Sequence, residues 1–314
     1  MPNFYIAGAA RCGSTSLDAY CRAHPDIYMS PVKEPNYFSY GFGAVQYDGP
    51  GREKFYATSI KNLGAYQALF ERAGQARVIG EASINYMLHP QACAGIKALT
   101  PEAKLVFILR QPVERAWSSF QLSRGSGTEQ ESSFLAAWRD DSRRRAAGHW
   151  SCIHRYKSLY AKHLECWFTT FPKEQIKVIL YEDLKADAES VMRDLYTFLE
   201  VDPDFQPQTS VVYNQSGEIN NLFLRLGWKY SAGLRSTLTP LLPARWRGRI
   251  FRYIASGSHA RKPSEALPRD LKLALTDELR EDILALENLL DRDLSGWYRQ
   301  SEAGAESDLQ VLPG

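Results

Sequence analysis

The segment Gly8-Ala-Ala-Arg11-Cys12-Gly13-Ser14-Thr15-Ser16 follows the apolar run Phe4-Tyr5-Ile6-Ala7. Glycines at 8 and 13, then three hydroxyl side chains, make a loop that can cradle a phosphate on backbone N–H groups. The spacing is that of the GxxxxG phosphate loop, but Ser14 stands where a nucleotide triphosphatase carries lysine. That lysine reaches the β- and γ-phosphates, and the next hydroxyl holds magnesium. A loop without it still holds one phosphate and is badly built for a triphosphate with its metal. Arg11 brings a cation into the loop at another point. The reactive end of the expected nucleotide is therefore not a polyphosphate chain. Arg11, Cys12, Gly13, Ser14, Thr15 and Ser16 are the first candidate binding residues.

A second constellation runs Lys104-Leu-Val-Phe-Ile-Leu-Arg110-Gln-Pro112-Val-Glu-Arg115-Ala-Trp-Ser118. An apolar strand delivers Arg110 at its carboxyl end, where parallel α/β sheets hold ligands. Pro112 then starts a helix that carries Ser118. Arginine offers a bidentate fork, so Arg110 is a candidate for a second phosphate. Arg115 reads as a surface ion-pair residue. Between the two lies Ser30-Pro31-Val32-Lys33-Glu34-Pro35-Asn36-Tyr37-Phe38, held extended by its prolines. Glu34 could take a proton from an attacking hydroxyl, with Lys33 keeping it ionised. Alone, the Lys33-Glu34 pair reads as a surface pair. His154 is the alternative proton acceptor.

Strands are expected at 4–7, 77–80, 104–109 and 176–181, and helices at 14–23, 89–99, 112–122, 156–171 and 186–199. This alternation predicts an α/β fold with a P-loop-like central parallel sheet flanked by helices. The apolar stripe of 156–171 reads as core. A helical C-terminal elaboration follows, ending in one amphipathic helix with Leu275, Leu279, Ile283, Leu286 and Leu290 on a face. Residues 1–300 read as a single domain, and 301–314 as a flexible tail.

Lys and Arg total 38 against 36 Asp and Glu, a net charge of +2 that gives no expectation of nucleic-acid binding. From Asn220 to Lys262 there are nine Lys and Arg and no acid. That block suits an anionic ligand, an anionic polymer or a peripheral membrane contact. The five cysteines form no CxxC pair, and neither a metal site nor a disulfide framework is expected. With no basic-then-apolar leader before residue 4, the expected compartment is the cytoplasm.

Taken in order, the three segments resemble sulfotransferases that use 3′-phosphoadenosine 5′-phosphosulfate (PAPS), particularly the carbohydrate and heparan-sulfate type. In that resemblance 8–17 is the 5′-phosphosulfate loop, 109–118 the 3′-phosphate motif, and Lys33-Glu34-Pro-x-x-Phe38 the segment with the catalytic glutamate. Gly80-Glu81-Ala82-Ser83-Ile-Asn-Tyr86 and 156–167 also match in position. The resemblance implies metal-free transfer of a sulfuryl group from PAPS to a hydroxyl or amine of a carbohydrate or small molecule. Glu34 would be the base, with Arg11 offsetting charge and Lys33 orienting donor or acceptor. Arg261 or Lys262 would supply a basic contact to the nucleotide. The heparan-sulfate enzymes commonly carry a lysine after the glutamate of the 81–86 segment, where this chain has Ala82. The rival readings are a P-loop kinase or other nucleotide-binding protein, and a non-enzymatic binder of anionic glycan or membrane through 220–262.

Overall fold

The computed structural model describes residues 1–43, 47–207 and 266–299. The basic block at 220–262, with Arg261 and Lys262, and the tail at 301–314 lie outside the described residues.

Five short apolar strands form one parallel sheet: β1 Phe4–Gly8, β2 Ile27–Met29, β3 Val78–Ala82, β4 Lys104–Leu109 and β5 Ile176–Leu180. Their order is β2-β3-β1-β4-β5, every pairing parallel. Phe4 of β1 aligns with Gly80 on one side and Lys104 on the other. A strand covered on both faces has no polar side to show, and β1 is buried throughout. The expected strands are present. β2, of three residues, is too short to stand out as a pattern.

The chain leaves β1 towards β2 on one side, while β4 lies on the other. This is the switch point where open α/β sheets bind ligands beyond the strand ends. Four strand ends meet there. β1 leads into the phosphate loop, β2 into the Glu34 segment, β3 into Ser83, and β4 into Arg110.

Helices Ser14–Ala23, Pro90–Leu99, Pro112–Gly125 and Ala188–Leu199 cover the sheet. Pro112 opens its helix, and the Gln111 side chain caps it by accepting the Glu114 N–H at 2.7 Å. The expected helix at 156–171 splits into a 3-10 turn, Tyr156–Ser158, and a helix, Tyr160–Thr170. Its stripe is core: Tyr160, Leu164 and Trp167 are buried. The single C-terminal helix also divides, into Arg269–Asp277 and Arg280–Leu290. Leu275, Leu279, Ile283 and Leu286 are all buried, so the apolar period runs straight across the break and hides it. Asp282 accepts the N–H groups of Ala161 and Lys162, both at 3.1 Å, seating the last helix on the start of Tyr160–Thr170.

Candidate functional site

The phosphate loop is left-handed at Arg11 (φ 69°) and Gly13 (φ 98°). A Cβ on Gly13 would lie 3.1 Å from the Tyr181 ring, so both space and backbone demand glycine. Gly13 is the N-cap of helix Ser14–Ala23, and no side chain caps that helix. Its first turn points backbone N–H groups to the loop side, as helix N-termini that bind anions do, with the hydroxyls of Ser14, Thr15 and Ser16 on the same turn.

Arg11 Nε donates to Ser118 Oγ at 3.0 Å, joining the loop to the helix after β4. Burial, and then the charge of Arg110, lower the Arg11 pKa. Two arginines held this close favour an anion between them. Arg110 lies with its guanidinium 4.9 Å from the Tyr181 ring centroid and donates from Nη2 to Glu114 at 3.0 Å. Its Nε is buried without a hydrogen-bond partner. Tyr160 Oη donates to the Arg110 carbonyl at 2.9 Å and fixes the strand end. Glu114 also accepts from Lys272 at 2.5 Å, which ties helix Arg269–Asp277 to this end of the site.

Arg11, Gly13, Ser14, Thr15, Ser16, Arg110 and Ser118 therefore gather at one end of the sheet. The Cys12 side chain does not join them. It is fully buried, its Sγ 3.5 Å from the Ala10 carbonyl and 3.8 Å from Tyr160 Oη. Burial pushes its thiol up to about 12, so only the Cys12 backbone can serve a phosphate.

Lys33 and Glu34 follow β2. Lys33 Nζ donates to Thr15 Oγ1 at 2.7 Å, bridging this segment to the phosphate loop. Glu34 is left-handed (φ 60°), its N–H on the Ala82 carbonyl at 2.9 Å and its Oε2 accepting the Ile84 N–H at 3.1 Å. A non-glycine residue held there carries about 1–3 kcal/mol of strain and persists only where its surroundings force it. Asn36 does much of the forcing. It is itself left-handed (φ 50°), and its side-chain amide donates to the Glu34 carbonyl at 2.8 Å. Its backbone N–H donates to Ser83 Oγ at 3.1 Å.

Desolvation pushes the Glu34 carboxyl up to about 7, opposed by the charge of Lys33 and the Ile84 N–H. Lys33 was expected to keep Glu34 fully ionised. Burial outweighs it, and the ammonium gives its hydrogen bond to Thr15. A base that titrates near neutrality suits general-base work better than one near 4.

Beneath lies Glu81, fully buried. Its Oε1 accepts from Tyr66 and Tyr86 and its Oε2 from Ser83, each at 2.7 Å. Desolvation still wins over these three donors and raises its pKa to about 7. Ser83 links this acid to Asn36, so Glu81 positions the backbone that presents Glu34.

Two expectations are corrected. Arg115 is not a surface residue: it is fully buried, donating to Ser158 Oγ at 2.9 Å and to the His154 carbonyl. His154 cannot replace Glu34 as a base, being fully buried with Nε2 3.2 Å from Glu129. Lys157 was missed. It is half-buried, and its pKa is lowered to about 8 by burial and then Arg115, with Glu34 among the charges acting on it. A lysine beside a serine in a polar run gives no sequence signal.

The sulfotransferase family profile matches residues 2–207. Carbohydrate sulfotransferase 15 of Mus musculus is 27% identical over 263 residues, covering 68% of this chain and 46% of that protein. Heparan sulfate glucosamine 3-O-sulfotransferase 3A1, also of Mus musculus, is 27% identical over 199 residues, covering 63% and 46%. The chain thus spans about half the length of the curated relatives it matches. Among solved structures, a sulfotransferase from Alicyclobacillus acidocaldarius is 31% identical with a TM-score of 0.74, covering 95% of this chain and 99% of that one.

Proposed function

The chain belongs to the sulfotransferase family, and from that premise we propose that it moves a sulfuryl group from PAPS to a hydroxyl or amine of a carbohydrate or small-molecule acceptor, with Glu34 as the base. The carrying observation is the 2.7 Å hydrogen bond from Lys33 to Thr15, which couples the segment bearing the base to the phosphate loop.

The residues suit this donor. Backbone N–H groups and the hydroxyls of Ser14, Thr15 and Ser16 would hold its 5′-phosphate, and Arg110 with Ser118 its 3′-phosphate. The buried, unpartnered Nε of Arg110 gains an acceptor that way. When bound, the donor supplies a sulfuryl group on a phosphate leaving group. Glu34 takes the proton of the acceptor hydroxyl as its oxygen attacks. Arg11 faces the charge that grows on the leaving side, and Lys33 holds the base segment in register with the loop. Charges arranged in advance are the main expected source of rate.

The test is transfer of label from PAPS to a panel of hydroxylated metabolites and glycans. It is paired with thermal shifts in adenosine 3′,5′-bisphosphate and in ATP with magnesium. We expect stabilisation by the bisphosphate alone and a labelled product. Stabilisation by ATP with magnesium alone would instead support the kinase-like reading.

A further inference from the structure

One face of the phosphate-loop helix, Ser14–Ala23, holds the segment that carries Glu34 at two points. Thr15, Asp18 and Arg22 follow one another at helical spacing and share that face. At the start of the helix Thr15 Oγ1 accepts from Lys33 Nζ at 2.7 Å. Further along, Arg22 donates from Nη1 to the Met29 carbonyl at 2.9 Å and from Nη2 to the Ser30 carbonyl at 2.8 Å. The same Nη2 lies 3.2 and 3.4 Å from the two oxygens of Asp18, which is buried and steadies the guanidinium. β2 stands at the edge of the sheet, so its end is held by β3 on one side and by this helix on the other.

Between the two points the chain has little slack. The Ser30 N–H donates to the Gly80 carbonyl at 2.8 Å. Ser30 Oγ accepts the Val32 N–H at 3.2 Å and donates to the Val32 carbonyl at 2.8 Å, closing residues 30–32 into a turn. Lys33 then reaches Thr15, and the Glu34 N–H meets the Ala82 carbonyl. The left-handed backbone at Glu34 persists only while such contacts force it. Arg22 spreads one planar fork over two carbonyls and a carboxylate, which the point charge of a lysine cannot do. Its partners here are Met29, Ser30 and Asp18, so it acts on Glu34 through the chain between them.

Resting on the reading of Glu34 as the base, we propose that Arg22, steadied by Asp18, is a positioning residue for the transfer. It ties the end of β2 to the helix whose first turn faces the donor phosphate, and so sets where Glu34 stands relative to the group being moved. The helix is then the spacer between phosphate and base. Such spacing matters, because a shift of about 1 Å introduced away from the chemistry can cost on the order of 10²-fold in rate.

The test compares the wild type, Arg22→Met, Glu34→Gln and the double variant. Arg22→Lys, which keeps the charge and loses the fork, replaces Arg22→Met throughout if the latter does not fold. Affinity for adenosine 3′,5′-bisphosphate, measured by calorimetry, should be unchanged in Arg22→Met. With PAPS and the acceptor that the wild type labels fastest, kcat should fall about 10–10²-fold. On the Glu34→Gln background the same substitution should cost nothing more, because it acts through that carboxylate. A second readout needs no acceptor. As pH rises from 4.5 to 7 the wild type should lose thermal stability relative to Glu34→Gln, since desolvation raises that carboxyl to about 7. This difference should shrink when both proteins carry Arg22→Met, which lets Glu34 relax towards water. An unchanged kcat, an equal loss on the Glu34→Gln background, a parallel loss of bisphosphate affinity or an undiminished stability difference would each overturn the assignment. Near-normal turnover in Glu34→Gln would instead remove the base reading, and the positioning role with it.

Discussion

At the phosphate loop the functional groups ride on the ends of regular elements. Gly13 caps a helix, Arg110 directly follows β4, and Ser118 sits on the helix that comes next. Around Glu34 they ride on irregular backbone, with Glu34 and Asn36 both left-handed and held by Ser83, Ala82 and Ile84. The difference follows from what each end must do. Holding a phosphate needs N–H groups and cations, which strand and helix ends offer without special effort. A base poised near neutrality must be taken out of water, and a buried carboxyl stays in place only if its surroundings are pinned. Glu81 with its three hydroxyl donors is that pin.

The sharpest way to break this contrast is to disable each end in turn. Glu34→Gln keeps size and removes the base, so turnover should fall by about 10²–10⁴ while bisphosphate affinity stays unchanged. A parallel loss of affinity would make Glu34 part of the donor end. Arg110→Ala should do the opposite, losing roughly 2–5 kcal/mol of bisphosphate affinity by calorimetry. Unchanged affinity would remove Arg110 from the phosphate contacts.

Glu81→Ala should act on stability, by about 3 kcal/mol in denaturant unfolding, because it strands three buried hydroxyls. Loss of turnover at unchanged stability would instead put Glu81 in contact with substrate. The smallest effect is the pH dependence of stability. Glu34 and Glu81 are raised to about 7 in the folded state from an ordinary value of 4.5. Between those values each of these two carboxyls holds more protons folded than unfolded, so its contribution falls as pH rises through that window. Glu129 is held down at about 2, and its contribution is lost as pH falls towards that value. His89 and His163, lowered by burial to about 3 and about 4, act with the opposite sign below 6.5, so the Glu34 part is read as a difference. The wild type should lose thermal stability relative to Glu34→Gln as pH rises from 4.5 to 7, and parallel profiles would mean that this carboxyl is not desolvated.

The same contrast decides what the sequence could reveal. The phosphate loop, the strand before Arg110 and the proline-opened helix are contiguous patterns, and each was legible. Glu34 was found through its segment, but its half-buried, desolvated setting was not, because the donors that pin it come from 81–86. Arg115 was misread because helical position does not say which face is covered: residues four apart share a face, and only packing against Ser158 and His154 buries this one. Lys157 depends on Asp141 and Pro112, both distant in sequence, for its rigid setting. The break after Asp277 was invisible because the apolar spacing continues across it.

The central claim is that desolvation tunes Glu34 into a base at neutral pH. The direct test is the pH profile of kcat/KM, with donor saturating, for the acceptor that the labelled panel identifies. The profile should rise about tenfold per pH unit below 7 and level off above it, because only the ionised carboxylate accepts the proton. A profile flat from pH 5.5 to 8 would contradict the account, as would the same rising limb in Glu34→Gln.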